Sequence, residues 1–189
     1  MMSANPAPVF TCGEIVEATK GVLLSGTLDR QFSGVSTDSR QTAKGNLFIA
    51  LKGDTFDGHN FLDVAILGGA AGLVVEKASQ NRVGREFHEN TTVIGVTDTL
   101  EALGTIAHFW RKRFDIPVVG ITGSAGKTST KEMTAAILSL VKNVHKTEGN
   151  FNNLVGLPLT IMGLNKHHEI AVLEMGTNSP GEIGRLVRI

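Results

Sequence analysis

Hydrophobic and polar positions follow two different patterns along this chain, and the change falls near Asp115. Before it, short apolar runs at 34–37, 47–51, 73–76 and 92–96 are separated by turn-rich polar segments, which predicts strands. Helical spacing appears between them. Thr11-Cys12-Gly13-Glu14 has the form of a capping box, with Thr11 as N-cap, and predicts a short helix through Ala18. Residues 61–67 have helical spacing and end at Gly68-Gly69, a C-cap. Asp98 is placed to cap a longer helix reaching about Arg113, with Leu100, Leu103, Ile106, Ala107 and Trp110 on one apolar face.

After Asp115 the chain alternates more regularly. Pro117 leads into a β-branched run at 118–122, and a helix is predicted from Lys127 to about Leu140. A short strand follows at 144–146 and a continuous apolar one at 169–175, and Pro180 is placed to start a last helix reaching towards Arg188. Strands without polar alternation, interleaved with helices, predict a parallel sheet covered on both faces. The fold class expected is α/β: a small N-terminal α/β domain over 1–115, then the first part of a P-loop, Rossmann-like parallel-sheet domain over 116–189.

Composition narrows the setting. At 189 residues, 41% of them hydrophobic, the chain can bury a sizeable core as one or two domains. Lys+Arg and Asp+Glu both number 18, so no polyanion-binding face is indicated and nucleic acid is not an expected partner. The single cysteine, Cys12, excludes an internal disulfide and agrees with a reducing cytoplasm. The first residues lack the basic and apolar regions of a signal peptide, and no apolar run approaches the roughly 20 residues that span a bilayer. The expectation is a cytoplasmic, monomeric protein.

The chemistry concentrates where the strand at 118–122 ends. Gly123-Ser124-Ala125-Gly126-Lys127-Thr128-Ser129 joins a strand to a helix through a loop whose backbone N–H groups and helix N-terminus face an anion. Lys127 adds a full charge for nucleotide phosphates, and the Thr128 hydroxyl is a Mg²⁺ ligand in such loops. The spacing departs from G-x-x-x-x-G-K-[ST], because the first glycine would fall on Ile121. Glu174, at the end of the strand at 169–175, reads either as a carboxylate for the same Mg²⁺ or as a strand-terminal ion pair. Asn150, Asn152 and Asn153 either form turns through their side chains or line a polar site. In the first part, Thr37, Asp38, Ser39 and Arg40 follow one strand, and Asp54, Thr55 and Phe56 belong to a Gly-punctuated loop after another. Both are either solvated turns or ligand loops, with Arg40 suited to a phosphate. His59 and His108 read as surface or capping residues, and His167-His168 as a polar turn rather than a metal site.

Taken together these segments resemble the Mur ligases, which build the peptide stem of bacterial peptidoglycan. The loop Gly123–Ser129 is similar to their G-[ST]-x-G-K-[ST]-[ST] loop, which lacks the earlier glycine and so accounts for Ile121. Ser36–Arg40, Gly45–Ala50 and Asp57-Gly58-His59 look like the family's N-terminal uridine-nucleotide-binding domain. Thr147–Asn153 with Gly156-Leu157-Pro158, and Glu174–Asn178 with Gly181-Glu182-Ile183, look like the branch that adds D-alanyl-D-alanine. The branch adding the third residue usually carries Asn-Thr-Thr where this chain has Asn152-Asn153.

The resemblance implies an ATP- and Mg²⁺-dependent ligase that joins D-alanyl-D-alanine to UDP-N-acetylmuramoyl-tripeptide through an acyl phosphate. Lys127, Thr128 and Glu174 would then be catalytic, the last two holding Mg²⁺. Gly123 to Ser129 with Asn150, Asn152 and Asn153 would bind ATP, and Thr37, Ser39, Arg40, Asp54, Thr55 and Phe56 the uridine substrate. Family members are three-domain proteins, and their metal-bridging carbamylated lysine and dipeptide-binding third domain have no counterpart here. The chain is therefore expected to be a fragment, inactive as a ligase by itself. The ligase adding the third stem-peptide residue, a different P-loop enzyme such as a small-molecule kinase, and a non-catalytic nucleotide-binding module are the other readings.

Overall fold

The computed structural model describes residues 8–53, 55–84 and 91–189. In chain order the elements are β1 (Val9–Thr11), α1 (Cys12–Thr19), β2 (Val22–Ser25), β3 (Gln31–Ser33), β4 (Val35–Ser36), β5 (Leu47–Ile49), α2 (Leu62–Leu67), β6 (Gly72–Glu76), β7 (Thr92–Val96) and α3 (Thr99–Arg111). They continue with β8 (Val118–Ile121), α4 (Lys127–Leu138), β9 (Val144–Lys146), α5 (Gly156–Met162), β10 (Ile170–Glu174) and α6 (Glu182–Leu186). Two 3-10 helices, Gly58–Phe61 and Lys77–Arg82, complete the set among the described residues. The chain divides into two compact units between Ile106 and Ala107, inside α3, some way before Asp115.

The first unit is built on a five-stranded sheet of order β2-β7-β6-β5-β4. Its strands β4, β5, β6 and β7 are parallel, and β2 joins antiparallel to β7 across an irregularity between Leu23 and Ser25. Strands β1 and β3 form a separate antiparallel pair. The core gathers Phe48, Leu62, Ala65, Leu73, Val75 and Val93, so α2 lies with its apolar side on the sheet. The capping box at α1 is present in full: Thr11 Oγ1 accepts from Glu14 N–H, and the Glu14 carboxylate accepts from Thr11 N–H. Asp98 Oδ1 accepts from the N–H groups of Leu100 and Glu101, as expected of the α3 cap. Strands β1, β2 and β3 have no counterpart in the pattern of the sequence.

His59 differs from the sequence expectation of a surface or capping residue. It is 3% exposed, its Nε2 accepts from Glu76 N–H at 3.0 Å, and Nδ1 lies 2.7 Å from Asp57 Oδ1. It thereby ties the end of β6 to the loop after β5. Asp57 also accepts from His59 N–H and from Arg82 Nη1. Burial of the Asp57 carboxyl opposes its ionisation, but these bonds outweigh it and bring its pKa from 3.8 to about 2. A carboxyl depressed in the folded state stabilises fully above its unfolded pKa and loses that contribution as pH falls through the folded value. Asp57→Ala is expected to cost about 1–2 kcal/mol at pH 7 in urea unfolding. The gap to the unsubstituted chain should narrow as pH drops from about 4 to about 2. A gap that stays constant over that range would contradict this assignment.

The second unit carries a three-stranded parallel sheet of order β8-β10-β9. Helix α4 connects β8 to β9, and α5 connects β9 to β10, giving two β-α-β crossovers. Trp110 is largely buried here and donates its Nε1–H to Leu164 O at 3.1 Å. Helix α6 starts two residues after Pro180: Gly181 takes a left-handed φ of +88°, and Glu182 begins the helix. The Glu182 carboxylate accepts from Asn178 N–H, Ser179 N–H and Thr177 Oγ1, which fixes the preceding turn.

Candidate functional site

Parallel sheets bind ligands beyond the carboxyl ends of their strands. In the second unit β8 and β10 end together, with Ile121 in register with Glu174. Ile121 is thus the last residue of a strand, paired and half-buried, and the loop Gly123–Ser129 begins only after it. The strand backbone at that position does not call for a glycine. The loop turns through Gly123 (φ +151°) and Gly126 (φ +75°), conformations that side chains on Cβ disfavour. Gly126 is the N-cap of α4, and no side chain caps that end. Ser124, Ala125, Thr128 and Ser129 are exposed around it. Lys127, the first residue of α4, folds back so that Nζ donates to Gly123 O at 2.7 Å. The loop thus presents backbone N–H groups, a helix N-terminus and an ammonium at one place.

Glu174 is 2% exposed. Oε1 accepts from Asn152 Nδ2 at 2.8 Å, and Glu174 N–H donates to Thr147 Oγ1 at 2.9 Å. Oε2 has no hydrogen-bond partner, the one such buried side-chain atom among the described residues. An ionised oxygen left without a donor is costly unless a cation faces it. Lys131 Nζ lies 3.9 Å from it, beyond hydrogen-bonding range. Lys131, 1% exposed, was not legible as a site residue in the sequence. Its signal was its place one turn beyond Lys127, on the helix side that also buries Ala135.

The three asparagines divide. Asn152 reaches Glu174. Asn153 Oδ1 accepts from the N–H groups of Val155 and Gly156 and so starts α5, a turn-forming role. Asn150 is exposed and its carbonyl accepts from Asn152 N–H.

In the first unit a cleft of about 700 Å³ opens at the carboxyl ends of β4 and β5. Thr37, Ser39, Arg40 and Phe56 line it together, with Phe48 and Phe61. Phe56 and Phe61 stack at 4.8 Å between centroids, 12° from parallel, and Phe56 is 56% exposed, leaving ring surface open to a planar ligand. The Arg40 guanidinium is held by Asp38 through Nε–Oδ1 (2.9 Å) and Nη2–Oδ2 (2.8 Å). These bonds draw the Asp38 carboxyl down to about 2. Thr55 does not line the cleft, and Asp54 lies outside the described residues. His108 is exposed, with Nδ1 3.2 Å from Ile189 O, and His168 accepts from Asn165 N–H. No group of three or more potential His, Cys, Asp or Glu metal ligands occurs among the described residues.

Residues 31–111 match the Mur ligase family catalytic domain, and residues 121–189 match the Mur ligase middle domain. The chain belongs to the Mur ligase family. Among relatives of that family, it is 43% identical over 180 residues to the UDP-N-acetylmuramoyl-tripeptide–D-alanyl-D-alanine ligase of Bacillus subtilis, covering 95% of this chain and 38% of that one. The solved UDP-N-acetylmuramoylalanyl-D-glutamyl-2,6-diaminopimelate–D-alanyl-D-alanyl ligase of Acinetobacter baumannii superposes with a TM-score of 0.84 at 34% identity, over 97% of this chain and 40% of that one. The Mur ligase of Thermotoga maritima solved in complex with ADP gives 0.71 at 36% identity, over 82% and 34%. The chain thus spans little more than a third of the length of these Mur ligases. Among the described residues, no helix is long and apolar enough to cross a membrane.

Proposed function

We propose that this chain supplies the uridine-substrate and ATP-binding parts of a ligase that joins D-alanyl-D-alanine to UDP-N-acetylmuramoyl-tripeptide in the cytoplasm. The observation that carries the reading is the pairing of Ile121 with Glu174, which sets a phosphate loop and a buried carboxylate at one end of a parallel sheet. The relatives named as this ligase, and the related structure solved with ADP, support the choice of substrates. The lone Cys12 and balanced charge support the cytoplasmic setting, and the chain is read as monomeric, without nucleic-acid or membrane partners.

In this reading the loop N–H groups of Gly123 to Ser129 and the Lys127 ammonium hold the β- and γ-phosphates and stabilise charge during transfer to the tripeptide carboxylate. The amine of D-alanyl-D-alanine then displaces phosphate from the acyl phosphate. The donor set fits Mg²⁺, a hard ion that takes oxygen ligands and few carboxylates: Glu174 Oε2 is a carboxylate oxygen without a hydrogen bond, and Thr128 offers a hydroxyl. When bound, Mg²⁺ neutralises phosphate charge. Asn152 fixes the carboxylate by its bond to Oε1. In the first unit Thr37 and Ser39 offer hydroxyls, and Phe56 a stacking face, to the uridine diphosphate end.

Calorimetry with UDP-N-acetylmuramoyl-tripeptide and with ADP tests this assignment. Phe56→Ala is expected to weaken the uridine nucleotide about tenfold through lost stacking, and to leave ADP unchanged. Equal loss for both ligands, or for neither, would contradict it.

A further inference from the structure

Lysine ammonium groups are almost never fully buried unless paired. Lys131 is 1% exposed at the centre of the second unit. Nζ donates to Thr147 O at 2.8 Å and meets Glu132 Oε1 at 2.9 Å. Its third neighbour is Glu174 Oε2 at 3.9 Å, the oxygen without a hydrogen bond. Thr147 closes the connection, since its Oγ1 accepts from Glu174 N–H. Glu132 is in turn paired with Lys146. The helix that follows the phosphate loop therefore sets a lysine Nζ beside the carboxylate, near enough to act on it and too far to occupy its lone pair.

We propose that Lys131 is a positioning residue acting through Glu174, a resident cationic neighbour that holds down the carboxylate's affinity for a free divalent cation. This rests on the reading of Glu174 as a metal ligand. A divalent ion on Oε2 stands within a few ångströms of the Lys131 ammonium, and like charges at that range repel appreciably even at an effective dielectric near 20. Nucleotide phosphates carry the negative charge that offsets this repulsion. The site thus favours a metal–nucleotide complex over the bare ion.

Mn²⁺ titrated into the whole chain and followed by electron paramagnetic resonance, with and without ADP, tests the proposal. The unsubstituted chain should bind Mn²⁺ alone weakly, and about tenfold or more tightly with ADP. Lys131→Met removes the charge, and Lys131→Gln removes it while keeping a donor for Thr147 O. Both should bind Mn²⁺ alone about tenfold more tightly than the unsubstituted chain, whereas Lys131→Arg should stay within about twofold. A lysine with a purely structural role gives no gain in metal affinity on neutralisation. Neutral variants that bind Mn²⁺ no better would overturn the proposal. So would an unsubstituted chain that binds Mn²⁺ equally well without ADP, an observation that needs no variant to fold. Glu174→Gln separates the two levels. Retained Mn²⁺ binding in that variant removes the metal-ligand reading itself. Its loss, with unchanged affinity in the Lys131 variants, removes only the role of Lys131.

Discussion

Lys127→Ala is expected to weaken ADP binding by about 30- to 100-fold, the usual worth of a charge-assisted bond to phosphate. The fold should be unaffected. In the structure the ammonium's bond is to Gly123 O in an exposed loop, and substitutions at such positions change stability by about 0.5 kcal/mol or less. Lys127→Arg should not restore full affinity, because a planar fork is not a substitute for a point charge in a tight backbone cradle. Titration calorimetry with ADP, alongside urea unfolding, reads both effects. An alanine variant with near-normal ADP affinity would place the phosphates elsewhere.

Gly156→Ala should destabilise the chain by about 2–3 kcal/mol despite the better helix propensity of alanine. A Cβ on Gly156 would stand 2.6 Å from Phe151 C and 2.9 Å from Phe151 Cβ, with its closest approach at Phe151 Cα. Backbone, not the tip of a flexible side chain, would have to move. Phe151 leads directly into Asn152, whose amide holds Glu174 Oε1. The strain should therefore reach the site, lowering Mn²⁺ affinity in the presence of ADP as well as stability. Urea unfolding and Mn²⁺ titration together check this. A variant as stable as its parent would mean that the loop gives way at no cost.

The strand–loop–helix junction at Gly123–Ser129 was legible because strand, glycines, lysine and hydroxyl follow one another in a short stretch. Glu174 was legible as the polar end of an apolar strand; the register with Ile121 sets it beside the loop, and Lys131 at 3.9 Å keeps the ion-pair reading next to the metal one. The asparagine cluster was legible only as a cluster. Which amide turns a helix and which holds a carboxylate depends on where β10 passes, and nothing local encodes that. Strands β1 and β3 are each three residues long and exist through pairing with one another, so their own pattern carries little signal. His59 escaped for a similar reason, since its acceptor role depends on Glu76 in a strand reached later in the chain. Lys131 looked like any helix-surface lysine, and only the packing of α4 against the sheet buries it.

Two distinct nucleotide sites are expected on this one chain, a uridine cleft in the first unit and an adenine-nucleotide loop in the second. Titration of this chain with UDP-N-acetylmuramoyl-tripeptide, before and after saturation with ADP and Mg²⁺, tests this expectation most directly. Each ligand is expected to bind at one site in the presence of the other, and Lys127→Ala to remove only the ADP heat. Displacement of the uridine nucleotide by ADP, as at a single shared site, would contradict it.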